Sequence, residues 1–343
     1  MEEEVNNSSL EYQVPGLDNL GNTCYMNCSL QALYATKEFR EYLLRGKYSE
    51  KVSEQSLHLA TAHLFQQMAN SNNKKSIEPK EFWNTFTAYK KQFEGRQQHD
   101  AQECLRFIID GIHEEVNVAK KRGQNRKSDG NESWKTPKSS EKVWKQFNQY
   151  SDDSFLVRLF VGQFKYIIEC SECQHKSNSW EHFWDISLPL PEKEDEIDVQ
   201  ECANLYIAKE VLENDSMPFC TKCQQKRKSV KKTIIKRTPF ILIIQLKRFG
   251  NDGQKIDKKV KINENLEFKD LMYELYACIS HQGISPLGGH YVCHCRHTLQ
   301  NNQWFYFDDE DVRKEDNIDF NDMTNAYILF YRKKSTTHNG GSP

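Results

Sequence analysis

The sequence predicts an α+β protein with its helices first and its strands after, and three observations carry that reading. Apolar residues recur at helical spacing between Cys24 and about Val118, as in Leu57-His-Leu-Ala-Thr-Ala-His-Leu-Phe65 and Cys104-Leu-Arg-Phe-Ile-Ile109. From Phe155 onward β-branched and aromatic runs dominate, ending in Ala326-Tyr-Ile-Leu-Phe-Tyr331. Two Cys-x-x-Cys pairs, Cys170/Cys173 and Cys220/Cys223, fall in that second part.

At 343 residues with a formal net charge of −2, the chain is long enough for a sizeable core and one to three subdomains, and implies no general affinity for polyanions. No apolar run approaches the length of a membrane span. The start, Met1-Glu-Glu-Glu-Val-Asn-Asn-Ser-Ser, is acidic and polar, unlike a secretory or mitochondrial leader, and reads as a short tail. Eleven cysteines without such a leader point to reduced thiols, so a cytoplasmic or nuclear setting is expected.

The first informative segment is Gly16-Leu-Asp-Asn-Leu-Gly-Asn-Thr-Cys-Tyr-Met-Asn-Cys-Ser-Leu-Gln31. A Gly/Asn-rich turn precedes a helical run carrying Met26, Leu30 and Leu33, with Thr23 as the expected N-cap and Cys24 in the first turn. Backbone N–H groups and the helix dipole favour negative charge there, so a thiolate nucleophile is favoured; a buried structural cysteine is the competing reading. Lys120 to Lys142, rich in Lys, Ser, Asn and Gly, reads as a mobile surface insertion. Phe240-Ile-Leu-Ile-Ile-Gln-Leu246 reads as a strand buried on both faces. Near the end, Gly288-Gly289-His290-Tyr291 places a histidine at a glycine-flanked strand start, and Gln303-Trp-Phe-Tyr-Phe-Asp-Asp309 ends a strand in two carboxylates. Cysteine, histidine and carboxylate, each in its own setting, make the set a nucleophile, a base and an orienting group need.

The two Cys-x-x-Cys pairs can form two knuckles that close a tetrahedral all-cysteine zinc site, and two copies favour metal over a redox pair. His175 and Cys293-His294-Cys295 are weaker metal candidates. In a strand Cys293 and Cys295 share a face while His294 points away, which suits packing. The acidic run Pro191 to Asp198 and the basic run Lys222 to Lys232 read as solvated faces. The basic run lacks the interleaved aromatics of a nucleic-acid platform, so no nucleic-acid or membrane partner is expected.

The Cys24 segment resembles the cysteine box of the ubiquitin-specific proteases, a family of papain-like deubiquitinating enzymes. The His290 and Asp308 segments resemble that family's histidine box. Gln97-Gln-His-Asp-Ala-Gln-Glu103, Trp180-Glu-His-Phe-Trp-Asp-Ile-Ser-Leu-Pro-Leu190 and Ile243-Ile-Gln-Leu-Lys-Arg-Phe249 are similar to further family motifs, in the same order, so that the likeness runs from about Gly16 to about Arg332. It is nearest to compact members with an intact four-cysteine zinc site. The resemblance implies a papain-like cysteine protease fold with a helical thumb (about 16–150), zinc-tipped β fingers (about 160–235) and a mostly antiparallel β palm (mainly 236–333). Together these make a catalytic domain over 15–333, flanked by a polar tail at 1–14 and a disordered one at 334–343. The nucleophile and base are then expected to face each other across the helical and β parts.

Residue by residue, the resemblance makes Cys24 the nucleophile, His290 its general base, Asp308 the orienting carboxylate and Asn19 the oxyanion-hole amide, with Asp309 as a possible second carboxylate. For Asn19 a turn-forming role between Asp18 and Gly21 is the alternative. It makes Cys170, Cys173, Cys220 and Cys223 the ligands of a structural zinc ion. Asp100 is implied to meet an arginine of the ubiquitin tail, and Gly289 and Tyr291 to line the channel for its terminal Gly-Gly. The implied activity is hydrolysis of the (iso)peptide bond after that Gly-Gly through a thioester, by a monomer acting on ubiquitin and ubiquitinated proteins without a dissociable cofactor. A protease for another ubiquitin-like modifier and an idle ubiquitin-binding module are the alternatives. Cys28 (serine in most relatives), Cys104 (an aromatic) and His99 (glutamine in many) depart from the pattern without removing a catalytic group.

Overall fold

The computed structural model describes residues 14–46, 56–71, 74–119, 139–191, 196–250, 255–285, 288–321 and 323–334. The N-terminal tail, most of the Lys120–Lys142 segment, the middle of the acidic run and the last residues of the C-terminal tail lie outside them. The segment's end is structured: Ser140–Gln146 is a helix capped by the Ser139 hydroxyl, which accepts from the Lys142 N–H. The chain divides into two compact units, Met1–Ile112 with Ile279–Ile318, and His113–Cys278 with Asp319–Pro343.

In the first unit the helix Cys24–Ala35 is the organising element, and all twelve of its residues are buried. A helix surrounded on every side has to satisfy its own polar side chains. The Ser29 hydroxyl donates to the Tyr25 carbonyl (2.8 Å), and the Gln31 amide donates to the Pro15 carbonyl (2.9 Å). Leu30 and Leu33, fully buried, each contribute about 1.5–3 kcal/mol of burial. The helix packs on the strand Gly288–His297, whose Tyr291, Val292, Cys293 and Cys295 are buried. The strands Gln303–Asp308 and Asp311–Glu315 extend that strand antiparallel. The N-terminal helices and the histidine strand therefore share one core, and the split into compact units does not follow the order helices, fingers, palm. The reason is this helix, which is buried along its whole length and needs a partner sheet.

The second unit contains a four-stranded antiparallel sheet in the order Lys176–Phe183, Gly162–Cys170, Ser229–Arg237 and Glu210–Leu212. The basic run lies on this sheet and its connections as exposed, paired charge: Lys228 meets Glu213 at 2.7 Å and Lys231 meets Glu210 at 3.2 Å. The same unit holds the buried strand Ile241–Leu246, which belongs to a different sheet, antiparallel to Ala326–Lys333 and parallel to Ile186–Leu188. Ile241, Leu242, Ile243, Ile244 and Leu246 are buried, as a continuous apolar run requires. The one polar residue in the run, Gln245, accepts from the Ser187 hydroxyl and donates to the Tyr327 hydroxyl. Arg248, fully buried, donates to the carbonyls of Ala326, Ile256 and Lys258, and so holds the chain that follows the strand.

Candidate active site

The turn ahead of the Cys24 helix uses two left-handed residues, Gly21 (φ +105°) and Asn22 (φ +56°). The first conformation suits only glycine and the second is one asparagine tolerates. Thr23 occupies the N-cap position but makes no capping bond. Its hydroxyl turns back to accept from the Leu20 N–H (2.9 Å). The first N–H groups of the helix, that of Cys24 included, are thus left without a side-chain cap. Cys24 is 3% exposed at the head of the helix.

His290 lies two residues inside the strand Gly288–His297. Its Nε2 meets Asp308 Oδ1 at 2.6 Å, which leaves Nδ1 as the ring nitrogen for the thiol. Hydrogen bonding to the Cys24 side chain, and then to Asp308, lifts the imidazole to about 9 against the opposing cost of burial. Asp308 ends its strand and stays solvated, with 41% of its side chain exposed.

Asp309 is different. It takes a left-handed backbone conformation (φ +50°) and is only 8% exposed. Its carboxylate accepts from Asn19 Nδ2 (2.6 Å) and from Asn27 Nδ2 (2.8 Å), the latter on the nucleophile helix. Burial pushes this carboxyl above the usual aspartate range, opposed by the two amides. Gly16 lets the N-terminal strand approach, since a Cβ there would lie 2.6 Å from the Asp309 carbonyl, and that carbonyl accepts from the Leu17 N–H at 2.9 Å. Asn19 itself is exposed, and its Oδ1 accepts from the N–H groups of Gly21 and Thr23. With the oxygen and one amide hydrogen engaged, the second Nδ2 hydrogen is the one a bound oxyanion could take.

Three residues expected to touch a substrate tail are built into the surrounding structure. Asp100 caps the helix Ala101–Val116, its Oδ1 accepting from the N–H groups of Gln102 (2.8 Å) and Glu103 (3.1 Å). Tyr291 is 3% exposed and packs edge-on to His281 at 4.7 Å, so it presents almost no surface here. Gly289 is half-buried, with its Cα against the Gln282 carbonyl and the His281 ring. Among the departures from the family pattern, Cys28 and Cys104 are core thiols pushed well up by burial, and His99, lowered by burial, sets its ring tilted against Phe93 at 4.8 Å.

The sequence reading missed two residues of this site. Asn27 was a polar residue on an apolar helix and gave that single hint. Gln98, whose amide bonds the Gly289 peptide, stood in a quoted motif without a role.

In the second unit the sulfurs of Cys170, Cys173, Cys220 and Cys223 all lie within 4.8 Å of one another. The Cys170–Cys223 and Cys173–Cys220 pairs are 4.0 and 3.6 Å apart. A tetrahedral ion with metal–sulfur bonds of about 2.3 Å needs sulfur separations of about 3.8 Å, so the set fits. The two knuckles repeat one turn: left-handed Gln174 and Gln224 donate their N–H groups to the carbonyls of Cys170 and Cys220. The N–H groups of Cys223 and Lys222 pull the Cys220 thiol down to about 7. This four-cysteine cluster can hold a metal ion. His175 stands outside it, bonded to the Thr221 hydroxyl (3.2 Å).

The fold is α+β, with a cysteine, a histidine and a carboxylate converging at one helix N-terminus. Residues 15–331 match the ubiquitin carboxyl-terminal hydrolase family, and the chain belongs to that family. It is 33% identical over 347 residues to ubiquitin carboxyl-terminal hydrolase 2 of Homo sapiens, covering 96% of this chain and 56% of that protein. It is 31% identical over 352 residues to ubiquitin carboxyl-terminal hydrolase 21 of Homo sapiens, covering 92% and 61%. The chain therefore spans little more than half the length of these relatives. Among solved structures, a chain of the SAGA DUB module bound to monoubiquitin superposes with a TM-score of 0.73 at 24% identity, covering 95% of this chain and 71% of that one. That likeness speaks for the fold.

Proposed function

We propose that this chain is a deubiquitinating cysteine protease that cleaves the (iso)peptide bond after the C-terminal Gly-Gly of ubiquitin. The observation that carries the reading is the His290–Asp308 bond at 2.6 Å beside Cys24, within a chain of the ubiquitin carboxyl-terminal hydrolase family. The relatives are named for this hydrolysis, and solved neighbours hold monoubiquitin or ubiquitin aldehyde.

In this mechanism the Cys24 thiolate attacks the terminal glycine carbonyl. The Cys24 N–H and the outer Nδ2 hydrogen of Asn19 take up the oxyanion. His290, held by Asp308, gives its proton to the leaving amine and then removes one from the water that hydrolyses the thioester. Asp309 keeps Asn19 in place. Asp100, Gly289 and Tyr291 act on the tail channel through the loop, strand and core that they build. Zinc on the four cysteines ties the two knuckles together and takes no part in the chemistry. The protein acts as a monomer in the cytoplasm or nucleus.

The test is hydrolysis of a fluorogenic ubiquitin C-terminal amide by purified zinc-replete protein, with probes carrying other ubiquitin-like modifiers alongside. Turnover of the ubiquitin substrate alone is expected. Turnover confined to another modifier, or binding of ubiquitin without turnover, counts against the reading. For the metal, about one zinc per chain is expected by elemental analysis, falling to near zero in Cys223→Ser, with a loss of several degrees in Tm. Full retention of Tm on strong chelation would argue against a structural ion.

A further inference from the structure

Gln98 makes a contact that the chemistry above does not use. Its Nε2 donates to the Gly289 carbonyl and its Oε1 accepts from the Gly289 N–H, both at 2.8 Å. One side-chain amide thereby satisfies both backbone groups of one residue, as a neighbouring antiparallel strand would. The strand Gln303–Asp308 does not take that place, because its ladder with Gly288–His297 runs only from Cys293 to His297.

The opposite side of Gly289 is closed as well. A Cβ on it would lie 2.4 Å from the Gln282 carbonyl and 2.5 Å from Nε2 of the buried His281. The residue held in this way is the one immediately before His290.

The other end of the same loop reaches the nucleophile. Asn22 Nδ2, in the turn that starts the Cys24 helix, donates to the Arg96 carbonyl at 2.8 Å. Downstream, Asp100 fixes the loop to the helix that begins at Ala101. A single short segment, Arg96 to Asp100, thus spans from the turn before Cys24 to the peptide before His290.

We propose that Gln98 is a positioning residue for the proposed protease reaction, setting the distance and angle between His290 and Cys24 by clamping the Gly289 peptide. It touches neither substrate nor reacting atoms in this role. The inference rests on the deubiquitinase reading for its kinetic test, but not for its thiol test.

Gln98→Met keeps the length of the side chain and removes both hydrogen bonds, while Gln98→Asn keeps the amide and withdraws it by one carbon. For both, kcat on the fluorogenic ubiquitin amide is expected to fall about tenfold or more, with KM within about twofold, since sub-ångström misplacement of a reacting pair costs rate rather than binding. Iodoacetamide alkylation of Cys24, followed by peptide mass, reads the thiol–imidazole pair without any ubiquitin. Its rate should fall about tenfold in both variants, because the imidazole held beside the sulfur is what takes up the thiol proton. A rise in KM at unchanged kcat would reassign Gln98 to substrate contact and overturn the proposal. So would an unchanged alkylation profile in a folded variant. If the wild type hydrolyses no ubiquitin substrate, the deubiquitinase reading fails and the alkylation comparison still decides the role of Gln98. Should both variants fail to fold, hydrogen exchange in the wild type decides: a protected Gly289 N–H is expected, and exchange at the free-peptide rate overturns the clamp.

Discussion

Cys24→Ala and His290→Ala are each expected to lower kcat/KM on the ubiquitin amide by about ten-thousandfold, and the double variant should be no worse than either. Non-additivity follows from the geometry. His290 Nε2 is committed to Asp308, so its remaining nitrogen has one task, to manage the proton of Cys24 and then of the leaving amine. Without the thiol there is nothing to activate. Without the imidazole, the thiol lacks its base and the amine its acid. The same pair fixes the pH behaviour. The folded imidazole is lifted to about 9, above its ordinary 6.5, with Cys24 the first cause. The protonated form is therefore favoured below that value and lost as pH rises through it, so kcat/KM should decline near pH 9. In Cys24→Ala the imidazole loses its largest support, and an NMR titration of His290 should move down toward the ordinary range. Multiplying penalties in the double variant, or an imidazole that titrates unchanged in Cys24→Ala, would show that the two side chains do not act as a unit.

The sequence made the nucleophile helix, the histidine strand and the cysteine knuckles readable because each carries its chemistry in a local pattern. A Gly/Asn turn before an apolar run starts a helix, and Cys-x-x-Cys followed by glutamine makes the same knuckle twice. What escaped were contacts between distant segments. Thr23 has the right residue type for a cap, yet its hydroxyl is taken by Leu20 in the turn behind it. Asp308 and Asp309 are chemically identical neighbours, and only the left-handed backbone at Asp309 sends its carboxylate inward. Asp100 could be named as an acid near a substrate tail, but its capping bonds depend on where the next helix starts. Gln98 bonds a residue 191 positions away, a pairing that no local period encodes.

Asp309→Ala is the second large effect, and it should exceed that of Asp308→Ala although only Asp308 bonds the histidine. Asp308 is 41% exposed, so water can replace part of what its carboxylate does for the imidazole. Asp309 is 8% exposed and accepts from two amides at 2.6 and 2.8 Å. Removing it frees the oxyanion amide of Asn19 to rotate, and leaves Asn27, in the buried nucleophile helix, with only longer bonds to the Leu17 and Asp18 carbonyls. Loss of one oriented oxyanion donor lowers kcat about a hundredfold or more. Losing the charged hydrogen bond to this buried amide costs about 1.5–3 kcal/mol of stability. A double-mutant cycle with Asn19→Ala separates the two: if Asp309 acts through Asn19, the kcat losses of the single variants overlap almost completely, while the stability loss stays with Asp309→Ala. Asn27→Ala should reproduce part of that stability loss with kcat nearly intact. Equal, additive kcat losses for Asp309→Ala and Asn19→Ala would sink this division of labour. It would leave Asp308 as the carboxylate that matters, with Asp309 a buried strut under the hairpin.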